Sequence, residues 1–303
     1  MTDAERKQLY DLIDEYWGDY DKHRNDDFIV NPSIPIIWFG NIDAYLAASP
    51  AKRIVTLAIN PSNHEFLTEE LPAYSSEYRF RIGRDIADLK FLRSNKERDL
   101  LINAYNQYFN HNPYSDFFGA FERVLQNLPG CEKASYGDPG HKPEKLYGVK
   151  NNKGDYHTHK YTAIHIDCKT AIATKQLWDD KEKKIENKER YNDFQEIKKS
   201  LSETGETPFN HLLAFLNPKI ILVSSAWFRD NELVDKGTKL RWHDFGKKMN
   251  NKDKNDRISY EMNGRLWIYG RFYPGCPFQI PKGKNDEEKQ FFQETFDKFG
   301  ITL

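Results

Sequence analysis

Four β-rich apolar runs constrain this chain more than any other feature. They occupy residues 53–59, 161–167, 219–224 and 265–272. Their long, near-continuous apolar character fits strands buried on both faces. Helical sequence separates each run from the next. That order predicts an α/β protein, a three-layer αβα arrangement around a central, mainly parallel four-stranded sheet.

The connecting sequence fills in the layers. Residues 3 to about 20 carry a helical stripe of Leu9, Tyr10, Leu12, Ile13, Tyr16 and Trp17. Residues 34–40 read as a short strand or extended segment, with Pro35 suggesting an edge. A short helix is expected over 41–48, a loop over 60–82, and helices near 83–93 and 96–110. Pro113 opens a further helix through Phe117, Phe118, Phe121, Val124 and Leu125 to Pro129. Residues 176–205 mix Lys and Glu as a solvated helix would, 209–215 form a buried helix, and Phe291, Phe292, Phe296 and Phe299 line a closing helix over 285–299. Two polar stretches, near 131–160 and 230–260, read as surface inserts. No internal repeat or linker interrupts the pattern, so the expectation is one domain spanning 1–303.

Composition excludes several classes. Aromatic residues make up 14% of the 303, which fits a folded chain despite 30% charged residues. A net charge of −1 gives no global basic signal, so any nucleic-acid footprint must be a local patch. Cys131, Cys168 and Cys276 form no CxxC pair, which fits a reducing cytoplasm. The N-terminus has no signal-peptide pattern, and no apolar run approaches the ~18 residues of a membrane span. Neither a phosphate-binding GxxxxGK[ST] loop nor a dinucleotide glycine fingerprint is present, which ranks a nucleotide hydrolase low. His157 and His159 lack a third ligand, so neither a metal nor another cofactor is expected.

The chemistry collects where the apolar runs end. The first run breaks into Asn60, Pro61 and Ser62. The second ends at Asp167, with His165 on the same face because strand side chains alternate. The third ends at Ser224 and Ser225, and the last runs into Arg271, Tyr273 and the turn Pro274-Gly275-Cys276-Pro277. A Pro- and Gly-rich turn offers backbone donors at low entropic cost, which suits a phosphate. Lys236, Lys239, Arg241, Lys247 and Lys248 precede that turn and are candidates for a basic rim.

These motifs resemble those of the uracil-DNA glycosylase superfamily, most closely its mismatch-specific uracil/thymine branch. Ala58-Ile-Asn60-Pro61-Ser62 is similar to the first motif of that branch, and Arg79-Phe80 to the pair that follows it. Leu216 to Ser224 resembles the buried third strand, and Phe272 to Phe278 the second motif, whose tip enters DNA. The resemblance spans most of residues 34–300, with departures: Tyr273 stands where histidine is usual, and Gly275 where serine is usual.

The resemblance implies a monofunctional DNA glycosylase, acting as a monomer on duplex DNA with an extruded base. Asn60, an amide and a poor base, would position the attacking water. Asp167 would stabilise the sugar cation or contact an exocyclic amine, while Phe66 or Tyr74 would stack on the base. Pro61, Ser62 and His165 would line the base pocket. Ser224, Ser225, Arg271, Tyr273, Pro274, Gly275 and Cys276 would meet the DNA, and Phe278 would fill the gap in the duplex. Strict uracil enzymes carry a tyrosine near the position of Ser62. The smaller serine implies a roomier pocket, suited to an enlarged pyrimidine such as a bulky modified cytosine in foreign DNA. The alternative is a binding module on the same fold that has lost its chemistry. Asp167 as a helix cap is an equally open reading, and His165 reads as an interior or pocket-wall histidine rather than a catalyst.

Overall fold

The computed structural model describes residues 1–23, 25, 33–58, 61, 65, 94–110, 115–129, 161–167, 208–247, 254–270, 272–273 and 276–301. The chain divides into two compact units. One comprises Met1–Phe39, Asn60–His111 and Asp167–Leu216, the other Gly40–Ile59, Asn112–Ile166 and Asn217–Leu303. Each is assembled from three separate stretches, so no linker-like composition marks the boundaries.

The described part of the first unit is mainly helical. Helix α1 (Asp3–His23) buries Leu9, Leu12, Ile13, Tyr16, Trp17 and Tyr20 along one stripe. It packs against α3 (Asn95–Asn106) and α5 (Pro208–Leu216). Ser94 and Glu97 form a reciprocal capping box that starts α3. Arg98 on α3 grips Asp14 on α1 with a fork, Nε to Oδ1 at 2.8 Å and Nη2 to Oδ2 at 2.7 Å. Residues 33–38 are extended and buried without joining a ladder. Their backbone is instead held by side chains: Tyr20 donates to the Ser33 carbonyl at 2.6 Å, and Tyr105 to that of Pro35.

The second unit holds a mixed α/β sheet of six strands in the order β2-β1-β3-β6-β5-β4. The four strands expected from sequence are β1 (Arg53–Ala58), β2 (Thr162–Asp167), β3 (Ile220–Val223) and β6 (Arg265–Gly270). They lie side by side. β1 pairs in parallel with β3, and β3 with β6, in a register that aligns Val55, Ile221 and Trp267. Every residue of β1 and β3 is buried, as a strand covered on both faces requires. Helix α2 (Ile42–Ala47), capped by Asn41, leads into β1. Its carbonyls of Leu46 and Ala48 accept from Arg53 at 2.8 and 2.9 Å, so a cation can start a buried strand.

The segment expected as a second surface insert departs from that reading. After a helical stretch over Ala226–Lys236, residues 238–247 and 254–262 form β4 (Thr238–Lys247) and β5 (Lys254–Met262), antiparallel to one another and continued by β6. The sheet therefore has six strands, not four. The apolar alternation that marks such strands is hidden. On β4, Arg241 and His243 turn to helix α6 (Asn285–Phe299), where they meet Glu294 and Glu287. Lys236 pairs with Glu232 at 2.6 Å, so neither it nor Arg241 belongs to a free basic rim. Two further short strands, β7 (Phe272–Tyr273) and β8 (Cys276–Pro277), form a small ribbon after β6. The expected helix 83–93, the insert 131–160, the helix 176–205 and the Arg79-Phe80 pair lie outside the described residues.

Gly270 ends β6 against the ring of Phe278. A Cβ there would sit 2.3 Å from Cδ1 of that fully buried ring. Gly270→Ala is therefore expected to destabilise the fold by about 1–3 kcal/mol through overpacking. The check is the denaturant midpoint at constant m; an unchanged midpoint would show that the ring moves aside without cost.

Candidate functional site

Strand order locates the site before any side chain is considered. β1 lies between β2 and β3, so the chain leaves β1 toward one side of the sheet and later returns on the other. In open α/β sheets, a crevice opens outside the carboxyl ends of the strands at such a reversal. Here that reversal falls between β1 and β3. Register aligns Leu57, Val223 and Tyr269 in one row across β1, β3 and β6. β1, β3 and β6 therefore end along one edge, and Ser224 and Ser225 follow β3 there.

Asn60, Ser62, Phe66, Tyr74, Arg271, Pro274 and Gly275 lie outside the described residues, as do the side chains of Tyr273 and Cys276. Pro61 is buried. Asp167 is the last residue of β2 and only 6% exposed. A carboxylate so placed acts on a neighbouring charge through a poorly screening medium.

His165 is an interior residue. Its Nδ1 shares a hydrogen bond with Thr56 Oγ1 of β1 at 2.8 Å, and Phe117, Phe118 and Phe121 surround the ring at 5.2–5.5 Å. The three phenylalanines lie on helix α4 (Ser115–Gln126). With 2% exposure and this apolar jacket, the imidazole does not reach a substrate, so its place among the pocket residues is corrected. Burial pushes its pKa down to about 3.

The serines are likewise occupied. Ser224 donates both its amide, at 2.9 Å, and its hydroxyl, at 3.1 Å, to the carbonyl of Leu57, which fastens the end of β3 to β1. Ser225 caps the short helix Ala226–Phe228 by accepting from the Phe228 amide at 3.1 Å. Both are buried, so they shape the edge without facing DNA. Phe278 also departs from expectation. It is fully buried, with φ of 56° and its ring against Phe121 at 5.8 Å, so it does not enter a duplex. Gly270 leaves the space that draws it inward.

Two features were passed over in the sequence. Glu65, five residues beyond Asn60, is a buried carboxylate that accepts from the Tyr108 hydroxyl at 2.7 Å. Tyr108 in turn lies edge-on to Phe39 and Phe109. Nothing in the local sequence separates this glutamate from a surface one. The second is a buried cluster of Glu288 with Arg257, Arg123 and Asn127. Glu288 occupies an apolar helical position, one turn before Phe291 and Phe292, and that was the available signal.

Among the described residues, no group of three or more His, Cys, Asp and Glu is placed to hold a metal, and no helix is long and apolar enough to cross a membrane. Comparison with family models, curated proteins and solved structures finds no match to this chain.

The buried imidazole sets a pH dependence. Below about 6.5 the unfolded chain takes up a proton at His165 that the folded chain refuses. Stability from the neutral ring is thus complete above 6.5 and is lost as pH falls toward 3, by up to about 1.4 kcal/mol per pH unit. Between pH 7 and 5 the native chain is expected to lose more stability than His165→Gln. Equal slopes in paired denaturation series would show that the ring titrates normally.

Proposed function

We propose that the protein is a monofunctional DNA glycosylase acting on an extruded, damaged or modified pyrimidine. The observation that carries the reading is the common edge formed by β1, β3 and β6. The run Asn60-Pro61-Ser62 begins two residues after β1 ends at Ala58, and the ribbon Phe272–Pro277 follows β6 at the same edge. These are the stretches that resemble the two motifs of the uracil-DNA glycosylase superfamily. The mixed α/β architecture is compatible with the fold the resemblance implies.

In the proposed reaction the bond between C1′ and the base nitrogen breaks, and the base leaves with the electron pair and takes up a proton. Water adds to C1′ and gives up a proton, leaving an abasic site. Extruding the base costs a few kcal/mol, least for a damaged or mispaired one. Asn60 accepts a hydrogen bond from the water and aims it; an amide cannot take the proton. Asp167 supplies negative charge while the sugar is cationic, or accepts from the exocyclic amine of a cytosine-like base. His165, neutral and enclosed, takes no part in proton transfer. The small Ser62 leaves room for a 5-substituent, which favours an enlarged cytosine in foreign DNA and a role in defence.

Incubation with duplexes carrying uracil, thymine mismatches or bulky modified cytosines is expected to yield alkali-labile abasic sites. The fastest release is expected from an enlarged cytosine. Asn60→Ala is expected to slow release by roughly 10²-fold or more at unchanged folding. Retained activity in that variant removes Asn60 from catalysis. No release from any duplex, alongside tight binding unaffected by Asn60→Ala, would establish a DNA-binding module instead.

A further inference from the structure

The ribbon after β6 is too small to hold its own shape. β7 and β8 pair through Phe272↔Pro277 and Tyr273↔Cys276 alone. An isolated two-stranded hairpin is marginal in water even when longer. β8 packs against α4, and two guanidiniums meet the backbone at the ribbon's exit, Phe278.

The carbonyl of Phe278 accepts from Nη2 of Arg257 on β5 and from Nη2 of Arg123 on α4. The same two guanidiniums hold Glu288 on α6. Arg257 donates to Oε1 through Nε at 2.9 Å and Nη2 at 2.7 Å, and Arg123 to Oε2 through Nη1 at 2.8 Å. Asn127 adds a bond to Oε2 at 2.6 Å. The Arg257 guanidinium is also sandwiched, 4.9 Å from the Phe278 ring centre and 5.4 Å from that of Phe245. Elements far apart in sequence thus converge on one backbone carbonyl.

Such an arrangement is a poor way to gain stability alone. Glu288 and the Arg257 side chain are wholly buried, and removing two charges from water costs several kcal/mol for each ion. Apolar side chains of similar volume often serve a core as well or better. What apolar side chains cannot do is hold a carbonyl oxygen in one place.

We infer that Glu288, Arg257, Arg123 and Asn127 form a positioning network that fixes the paired strands β7 and β8 by the exit of β8, so that this pair meets nucleic acid already ordered. The anchoring rests on the hydrogen bonds; the identity of the ligand rests on the function proposed above. A ribbon ordered in advance avoids the entropy of ordering on contact, and affinity gains by that amount.

Arg123 is the informative position. Its side chain is 29% exposed, and removing it leaves the buried Arg257–Glu288 pair intact. The experiment follows hydrogen exchange in the peptide covering 271–278 of the free, full-length protein, with binding to an abasic-site duplex measured in parallel. Arg123→Ala is expected to speed exchange in that peptide roughly tenfold, the scale of one charge-assisted hydrogen bond, with β1, β3 and β6 unchanged. Duplex affinity is expected to fall by a similar factor. Arg123→Lys, which keeps the charge but loses the planar fork, is expected to stay close to Arg123→Ala. Uniform acceleration across the sheet, no acceleration anywhere, or full restoration by lysine would each overturn the positioning role. A ribbon that loosens as expected in a protein whose native form ignores DNA supports the anchoring and sinks the glycosylase reading instead.

Discussion

Burial of β1, β3 and β6 on both faces is the constraint from which the rest follows. Rows such as Val55, Ile221 and Trp267 leave no solvated face on which a polar side chain can rest. A polar group inside such a sheet must find its partner inside, because an unmet donor or acceptor costs about as much as several good contacts provide. Thr56 does so by facing His165 across to β2. At the amino edge polar groups are likewise consumed internally: Arg53 by the carbonyls of Leu46 and Ala48, and Lys219 by that of Gly264 at 3.3 Å. At the carboxyl edge Ser224 and Ser225 are used in the same way, by the Leu57 carbonyl and the Phe228 amide, and Asp167 ends β2 buried.

The antiparallel side of the sheet obeys a looser rule. β4 is the outermost strand, and Trp242 on it is 46% exposed. Its other face is covered by α6, where polar and charged side chains replace the expected apolar ones: Arg241 with Glu294, and His243 with Glu287 at 3.5 Å. Arg241 also lies 5.8 Å from the ring centre of Phe291, so its stem and guanidinium serve as packing surface. Polar character along a strand is thus compatible with burial against a helix of matching charge.

This explains what could be read from sequence. The strands β1, β2, β3 and β6 were legible because burial on both faces demands continuous apolar runs. Their neighbours β4 and β5 were not, because Lys239, Arg241, His243 and Arg257 break the alternation on which strand reading depends. Within the site, the strand ends were legible as places but not as environments. The sequence around Ser224 cannot tell that its hydroxyl is spent on Leu57, nor that Phe278 turns inward, because a left-handed φ at a phenylalanine follows from tertiary contacts. The network around Glu288 joins residues 31 and 165 positions apart, beyond any local pattern.

Helix α4 connects the two buried polar systems. Its Phe117, Phe118 and Phe121 enclose His165 on β2, while Arg123 and the following Asn127 reach Glu288 and, through Arg123, the Phe278 carbonyl. Phe121 touches both systems, 5.5 Å from the His165 ring and 5.8 Å from that of Phe278. The end of β2 and the exit of the ribbon are therefore referenced to one rigid element. A close-packed core transmits displacement poorly within a residue's own volume but well along a helix, since side chains there have no free space to absorb it. A change at Phe121 would shift both at once, whereas a change at Arg123 releases only the ribbon. The separation of those two effects along a single turn makes α4, which carries none of the residues read from the motifs, the element on which both His165 and the Phe278 carbonyl rest.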